Sequence, residues 1–344
     1  MAKLNYKLPP DKIALYPSTP PHSCKLMVIK LPSGQVEHRN FYNLGDYVKS
    51  GDVFAVNNSK VLKARLYGRK STGGKTEFLL LKIIKVKNNG NKIWKAFGKP
   101  ASRLRGGMEI SVEGSEKKNT VVKILEKKEQ GLFLIETPDN ILNYGHVPLP
   151  PYIIAKRDLT SADSSFYQTV FARVSGSVAA PTSSLHFTDN LVKKLNSKGT
   201  KFTSLTLHIG PGTFRPVKEK PGPENIKITE PAAKSLNNAE RVITCGTTMM
   251  RTLESVHANG EFRPFEGKTD LYIKPGYKFK TRKFFLTNFH LPGTPLLKMV
   301  AAYIDNYRSG EGEKLVLDLY NRALKKDYRF LSYGDAMLFV DEEL

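Results

Sequence analysis

Three histidines in the second half of the chain have neighbours that suit acid–base chemistry. His186 follows Ser-Ser-Leu, His208 stands in Thr-Leu-His-Ile-Gly, and His290 stands in Asn-Phe-His-Leu-Pro. Imidazole changes its charge near neutral pH, so each ring could give or take a proton. A core position with backbone hydrogen bonds would explain any one of them, but three in similar settings favour a shared cleft. Metal binding is not predicted, because the sequence has no His-Glu-x-x-His pattern and only two cysteines.

A second group of residues could bind an anion. Gly246, Thr247 and Thr248 stand between a short apolar run at 242–245 and a helical pattern that contains Arg251. The first N–H groups of a helix, together with its dipole, favour a carboxylate or a phosphate at such a position. A threonine that merely caps the helix would explain the pattern equally well. The sequence therefore predicts a helix start here and leaves its ligand open.

The stretch at 175–217 must position two of the three histidines. Small residues at 175–181 open it and leave room for a ligand to approach the backbone. The apolar spacing at 191–195, followed by Gly199, predicts a short helix. Alternation of apolar and polar residues at 204–209 predicts a strand whose packed face leaves His208 on the opposite side. We expect the Gly-Pro-Gly turn that follows to bend the chain beside His208.

Residues 61–149 predict an inserted domain made of β-strands. Short alternating runs are separated by turns rich in Gly, Asn and Lys, and no helical period competes with them. Six strands at this spacing predict a small closed barrel. The predicted strands lie at 64–67, 76–84, 93–97, 109–112, 121–125 and 132–136.

The remaining residues, 1–60 and 150–344, predict one larger α+β domain of mixed α/β type. A hairpin pattern occupies 26–39, and beyond residue 150 predicted strands at 242–245, 284–287 and 329–340 alternate with helices. Thr294 with Pro295 behind it predicts a helix start. The periodicity of 314–325 predicts an amphipathic helix. We therefore expect a large mixed sheet with helices, interrupted by the barrel.

The charge of the chain predicts a polyanionic partner. Its 344 residues include 54 basic and 32 acidic side chains, and residues 60–130 alone carry a net charge of +13. Nucleic acid is the obvious partner for such a segment, although a lysine-rich solvated surface explains the charge equally well. The sequence contains no signal peptide and no apolar run of membrane-spanning length, so we expect a cytoplasmic protein without membrane contact.

Longer strings carry a resemblance that covers nearly the whole chain. The strings are VPLPPYI, SVAAPTSSLHF, TLHIGPGTFRPV, CGTTMMRTLES, TNFHLP and RFLSYGDAML. In order and spacing they resemble the S-adenosylmethionine:tRNA ribosyltransferase-isomerase family of queuosine synthesis. The resemblance implies a barrel inserted into a larger mixed domain. It also implies transfer of the ribosyl group of S-adenosylmethionine to an aminomethyl-deazaguanine in the tRNA anticodon. S-adenosylmethionine is then a co-substrate, no metal or redox cofactor is implied, and a monomer is expected.

The resemblance also implies which residues form the site. Proton transfer is expected from three motif residues, His186, His208 and His290. The methionine carboxylate or a phosphate is expected at Thr247, Thr248 and Arg251. Four further motif residues are expected to line the pocket: Thr182, Asn288, Tyr333 and Asp335.

Some polar positions depart from the family pattern. The segment after residue 217 is short, lacks the usual His-x-Met-His run, and keeps only Glu219 and Glu224 as acidic residues. Pro21, His22, Ser23, Cys24 and Lys25 stand where the family has an arginine-containing stretch. Two alternatives therefore stay open: a paralogue that uses S-adenosylmethionine on another acceptor, and a non-catalytic RNA-binding protein with the same fold.

Overall fold

A large sheet and a separate barrel belong to two different units of the chain. This computed structural model describes residues 4–114, 119–214, 222–281 and 283–343. The first unit comprises Met1–Lys60, Gln168–Val174 and Ala180–Leu344, and the second comprises Val61–Tyr167 and Ser175–Ala179. The second unit contains the segment 61–149 and continues past its predicted end. Residues 215–217 of the stretch discussed above, and Glu219, lie outside the described residues.

The first unit contains a nine-stranded sheet. Its strands are β1 (Lys25–Leu31), β2 (Val36–Asn40), β3 (Val53–Asn57), β12 (Lys201–Leu207), β13 (Glu224–Ile228), β14 (Val242–Cys245), β17 (Phe265–Thr269), β18 (Phe284–Asn288) and β19 (Ala336–Asp341). The shorter strands outside this sheet and the barrel are β4 (Ser59–Val61), β11 (Val174–Ser177), β15 (His257–Ala258) and β16 (Glu261–Phe262). The predicted hairpin is confirmed, since β1 and β2 pair antiparallel.

The strand order of this sheet is β17-β13-β12-β3-β14-β18-β19-β1-β2. β12, β3, β14 and β18 are parallel neighbours, whereas β19 is antiparallel to β18 and parallel to β1. All residues of β3 are buried, as expected for a central strand covered on both faces. Phe54 and Val56 belong to one apolar cluster, and Val53 and Ala55 belong to another, because successive side chains point to opposite faces.

Helices cover this sheet and connect its strands. They are α3 (Asp189–Ser197), α4 (Glu230–Asn237), α5 (Thr247–Val256), α6 (Pro295–Asp305) and α7 (Gly312–Lys325), while the short α1 (Pro151–Ile154) and α2 (Asp163–Phe166) belong to the second unit. The predicted start of α6 is confirmed, since the Thr294 hydroxyl accepts a hydrogen bond from the N–H of Leu297. None of the described helices is long and apolar enough to cross a membrane.

The last predicted strand is too long. Residues 329–340 were expected to be extended, but β19 begins only at Ala336. Leu331 has a positive φ of 72°, and residues 332–334 form a turn that the N–H of Gly334 closes on the carbonyl of Leu331. Period-two apolar alternation cannot reveal such a turn, because the turn residues are also buried.

The second unit contains the predicted six-stranded barrel. Its strands are β5 (Arg65–Lys70), β6 (Lys75–Val86), β7 (Lys92–Lys99), β8 (Glu109–Glu113), β9 (Asn119–Lys127) and β10 (Leu132–Thr137), closed in the order β10-β7-β6-β5-β8-β9. Trp94 and Ala96 are buried, whereas Lys95 between them is exposed, so alternation separates the filled interior from the outer face. The barrel predicted from the sequence is therefore confirmed.

Basic residues stand side by side on the outer face of the barrel. Lys82 of β6 is directly opposite Lys95 of β7, and Lys85 follows on the same strand. All three side chains are exposed, and none of them forms an ion pair with another described residue. Like charges directly opposite each other on neighbouring strands destabilise a sheet. The repulsion between Lys82 and Lys95 therefore destabilises the barrel, and a bound anion would reduce it.

Candidate functional site

The large sheet has one edge that collects polar residues. Because β12, β3, β14 and β18 run the same way, His208, Gly246 and Asn288 lie at their carboxyl ends along a single edge. β19 runs the opposite way and begins at this edge, directly after Asp335. We call this row, from His208 to Asp335, the carboxyl edge. Ligands of α/β sheets typically bind at such an edge.

His186 belongs to a buried chain of hydrogen bonds at this edge. Its Nε2 lies 3.0 Å from Nδ2 of Asn288, and its Nδ1 lies 3.3 Å from Sγ of Cys24. Oδ1 of Asn288 in turn accepts a hydrogen bond of 3.1 Å from the hydroxyl of Thr182. Burial and, to a smaller extent, the positive charge of Arg329 lower the pKa of His186 to about 3. The imidazole is therefore neutral at physiological pH, with both nitrogens engaged by the protein.

His290 lies on the other face of the sheet. Its Nε2 is 3.1 Å from the hydroxyl of Thr287, which precedes Asn288 on β18 and therefore points the opposite way. The N–H of His290 donates to the Tyr320 hydroxyl at 3.0 Å, and its carbonyl accepts from Tyr6. Burial lowers the pKa of His290. The structure thus brings His186 together with Thr182 and Asn288, but it does not bring His290 into that network.

His208 has a buried ring nitrogen that is not hydrogen-bonded to any other described residue. It follows β12 directly, and its backbone N–H donates to the carbonyl of Asn225 at 3.0 Å. Its Nδ1 is buried without a hydrogen-bond partner among the described residues. Burial lowers the pKa of this side chain, so the ring is neutral near pH 7. A neutral imidazole with an unpaired nitrogen can accept a proton or a hydrogen bond.

The start of α5 is open. Gly246 precedes the helix with φ of 93°, a conformation that favours glycine, and no side chain caps the helix. A Cβ at Gly246 would lie 3.2 Å from Oγ of Ser183, so the backbone here packs closely on the loop that carries Thr182. Thr247 and Thr248 occupy the first helical positions rather than the cap. The first N–H groups of α5 are thereby left for a ligand or water.

Arg251 is already paired with a carboxylate. Its Nη1 donates to Glu224, and its Nε donates to the carbonyl of Leu271 at 3.1 Å. Glu224 also accepts the N–H of Gly210 at 2.9 Å, which ties the turn after His208 to α5. Nη2 of Arg251 is buried and has no partner among the described residues. Arg251 can thus offer one donor group to a ligand, but its charge is largely balanced by Glu224.

Asp335 holds the turn before β19. The carboxylate of Asp335 accepts the N–H groups of Lys25 at 2.9 Å and Arg329 at 2.6 Å. Burial raises its pKa, while these two backbone donors oppose the rise. Tyr333 is buried as well. Both residues lie at the carboxyl edge, where Asp335 fixes the loop next to β1.

Two residues outside the predicted set belong to these networks. Cys24 contacts His186, and Glu224 contacts both Gly210 and Arg251. No short sequence pattern predicts either contact, because Cys24 and His186 are 162 residues apart and Glu224 and Arg251 are 27 residues apart. Within the described part of the chain, no group of three or more His, Cys, Asp or Glu side chains could hold a metal ion.

Comparisons with known proteins cover this chain almost completely. A family model described as queuosine biosynthesis protein matches residues 1–339. A protein of Aquifex aeolicus named S-adenosylmethionine:tRNA ribosyltransferase-isomerase is 41% identical, over 98% of this chain and 99% of its own length. A protein of Fusobacterium nucleatum with the same name is 40% identical, over 98% and 96%. The crystal structure of S-adenosylmethionine tRNA ribosyltransferase from Thermotoga maritima is 30% identical, with a TM-score of 0.55, over 98% of this chain and 99% of that one.

Proposed function

This chain belongs to the queuosine biosynthesis protein family, and we propose that it is an S-adenosylmethionine:tRNA ribosyltransferase-isomerase. The observation that carries the proposal is the full-length similarity, at about 40% identity, to enzymes of that name. The carboxyl edge supports it, because the residues of the resembling strings converge there from separate strands. The proposed activity is cytoplasmic, as the sequence leads us to expect.

The proposed reaction moves the ribosyl group of S-adenosylmethionine to the aminomethyl group of a 7-deazaguanine at the anticodon wobble position. Adenine and methionine leave, and S-adenosylmethionine is consumed as a co-substrate without a metal or redox cofactor. The reaction needs a base for the acidic hydrogen on the carbon next to the sulfonium. It also needs an acid for the departing adenine and a group that holds the methionine carboxylate.

The carboxyl edge offers a group for each of these tasks. His208 is the proton-transfer residue of the proposal, because its Nδ1 has no partner among the described residues. The open start of α5 at Thr247 and Thr248 suits the methionine carboxylate, and Nη2 of Arg251 suits a further oxygen. β12 and β18 are three strand spacings apart, about 14 Å, so His208 and the Thr182 hydroxyl that is bonded to Asn288 would contact different parts of one substrate. In this arrangement His290, Tyr333 and Asp335 support the edge.

The barrel is the proposed docking surface for tRNA. Residues 60–130 carry a net charge of +13, and phosphate neutralisation supplies much of the affinity of proteins for nucleic acid. Part of this charge lies on the outer face of the barrel, where Lys82 and Lys95 are directly opposite each other and Lys85 follows on the same strand as Lys82. Phosphates at these positions would relieve the repulsion between the two lysines.

Adenine release tests the proposed activity. The protein is incubated with S-adenosylmethionine and with tRNA that bears the aminomethyl base, unmodified tRNA, or no tRNA. We expect free adenine in stoichiometric amounts only with the aminomethyl tRNA. Adenine release that depends on another acceptor would instead identify a paralogue with a different substrate. Binding of tRNA without adenine release under any condition would contradict an enzymatic role.

A further inference from the structure

His186 has no ring nitrogen left for a substrate. Asn288 occupies Nε2 and Cys24 occupies Nδ1. Only 4% of His186 and 2% of Asn288 are exposed, so a substrate cannot reach either side chain without displacing the protein around it. The same holds if the nitrogen and oxygen of the Asn288 amide are exchanged, since both ring nitrogens keep the same partners.

The hydrogen bonds form a chain with one exposed end. Cys24 lies at the buried end, with His186 and Asn288 in the middle. Thr182 is only partly buried, and its hydroxyl donates to Oδ1 of Asn288. A hydroxyl has one donor hydrogen and two acceptor lone pairs, so this donation leaves the oxygen as an acceptor. At the exposed end of these hydrogen bonds, the Thr182 oxygen is therefore an acceptor whose orientation is fixed by its bond to Asn288.

We propose that His186 is a positioning residue that fixes Asn288 and, through it, the Thr182 hydroxyl, which accepts a hydrogen bond from an O–H or N–H group of the substrate. Phe41 helps to hold the imidazole, since the two ring centroids are 5.1 Å apart. Ser183, the neighbour of Thr182, packs against Gly246 at the start of α5. The acceptor oxygen is thus held next to the proposed carboxylate site. The inference rests on the proposed function only for the identity of the substrate.

The chain of contacts also explains why a histidine is needed at this position. The partners on either side are a thiol and a primary amide, and burial raises the pKa of the thiol so that it stays protonated. A neutral imidazole can accept from one partner and donate to the other across a rigid ring. A leucine or phenylalanine would leave the Asn288 amide buried without its partner and free to turn.

A double-mutant cycle tests the proposal. We expect Thr182→Val and His186→Phe each to lower kcat/KM for S-adenosylmethionine about 10-fold, the size of one lost hydrogen bond. Because His186 acts through Thr182, the double variant should lose little more than Thr182→Val alone, and Thr182→Ser should restore activity. The pH profile of His186→Phe should keep the shape of the unsubstituted protein. His38→Phe, at an exposed histidine, is the matched control.

Two results would overturn the proposal. Independent, multiplicative losses in the double variant would show that His186 does not act through Thr182. Loss of one limb of the pH profile in His186→Phe would identify His186 as a proton-transfer group.

Nitrogen NMR of the unsubstituted protein gives a readout that needs neither activity nor a folded variant. The charged groups near this chain of side chains are Arg329 and Asp335. We expect the His186 ring to remain one neutral tautomer from pH 5 to pH 8. Titration of the ring within that range would contradict the proposal, whereas absence of adenine release with an untitrated ring would contradict only the proposed activity.

Discussion

The carboxyl edge and the barrel surface use polar residues in opposite ways. At the edge, His186, Asn288 and Asp335 are buried and their polar atoms bond to the protein. On the barrel, Lys82 and Lys95 are exposed and face another positive charge rather than a negative one. The hydrogen bonds at the edge hold individual polar atoms in fixed positions. The lysines of the barrel create a positive electrostatic potential, but no hydrogen bond to another described residue holds their side chains in place.

This difference has a consequence for how each region can recognise a substrate. Buried polar groups act over hydrogen-bond distances and are little affected by salt, because water and ions are excluded. Exposed charges act over about 10 Å at 0.1 M ionic strength and are screened as salt rises. We therefore expect the small substrate to be recognised at the edge and the polyanion to be attracted by the barrel.

The largest effect is expected from His208, the edge residue with an unused ring nitrogen. His208→Gln should lower the rate of adenine release about 10²- to 10⁴-fold, the usual contribution of a general acid or base. Burial lowers the pKa of His208, so its neutral form persists below the ordinary histidine value of about 6.5. The acid limb of the kcat/KM profile should therefore lie below pH 6.5 and disappear in the variant. Full activity of His208→Gln would show that the edge uses another base; His38→Gln is the control.

A second prediction compares a buried ion pair of the first unit with an exposed pair of the barrel. Glu254 and Lys283 are 0% and 1% exposed, and Glu254 also accepts from Tyr277. Glu254→Gln leaves a buried ammonium without its counter-charge and should cost about 3–5 kcal/mol of unfolding free energy. Glu113→Gln breaks a pair with Arg69, in which both side chains are about half exposed, and should cost less than about 1 kcal/mol. Urea unfolding measures both, and equal costs would contradict the contrast between the regions.

The smallest effect is expected for tRNA binding by the barrel. Lys82→Gln/Lys95→Gln should weaken binding about 10-fold near physiological salt. It should also reduce the slope of log K against log salt by roughly 1.4 to 1.8, the value for two phosphate contacts. Lys193→Gln/Lys194→Gln removes two exposed charges from α3 in the other unit and should leave the slope unchanged. Filter binding over a salt series measures the slope. Equal slopes for the two double variants would indicate that tRNA does not bind to the surface formed by β6 and β7.

Several elements could be predicted because their signals are local. Alternation around Trp94, Lys95 and Ala96 is enough to predict a barrel strand, and Thr294 with Pro295 is enough to predict the start of α6. The turn at 332–334 was not predicted, since its residues are buried like those of the strand that follows, and the positive φ before it belongs to Leu331, a residue type that rarely adopts it. The resembling strings predicted candidate site residues, but they carried no information on which residues would touch one another.

The sequence by itself determined the six barrel strands, the starts of α5 and α6, the charge of the barrel and the residue types available for chemistry. These depend on periodicity and composition over a few residues. Only the tertiary structure decided that Cys24 completes the surroundings of His186, that Glu224 balances Arg251, and that His290 lies across the sheet from His186. The physical reason is the strand order β14-β18-β19-β1, which brings distant segments side by side while the alternation along each strand sends neighbouring residues to opposite faces.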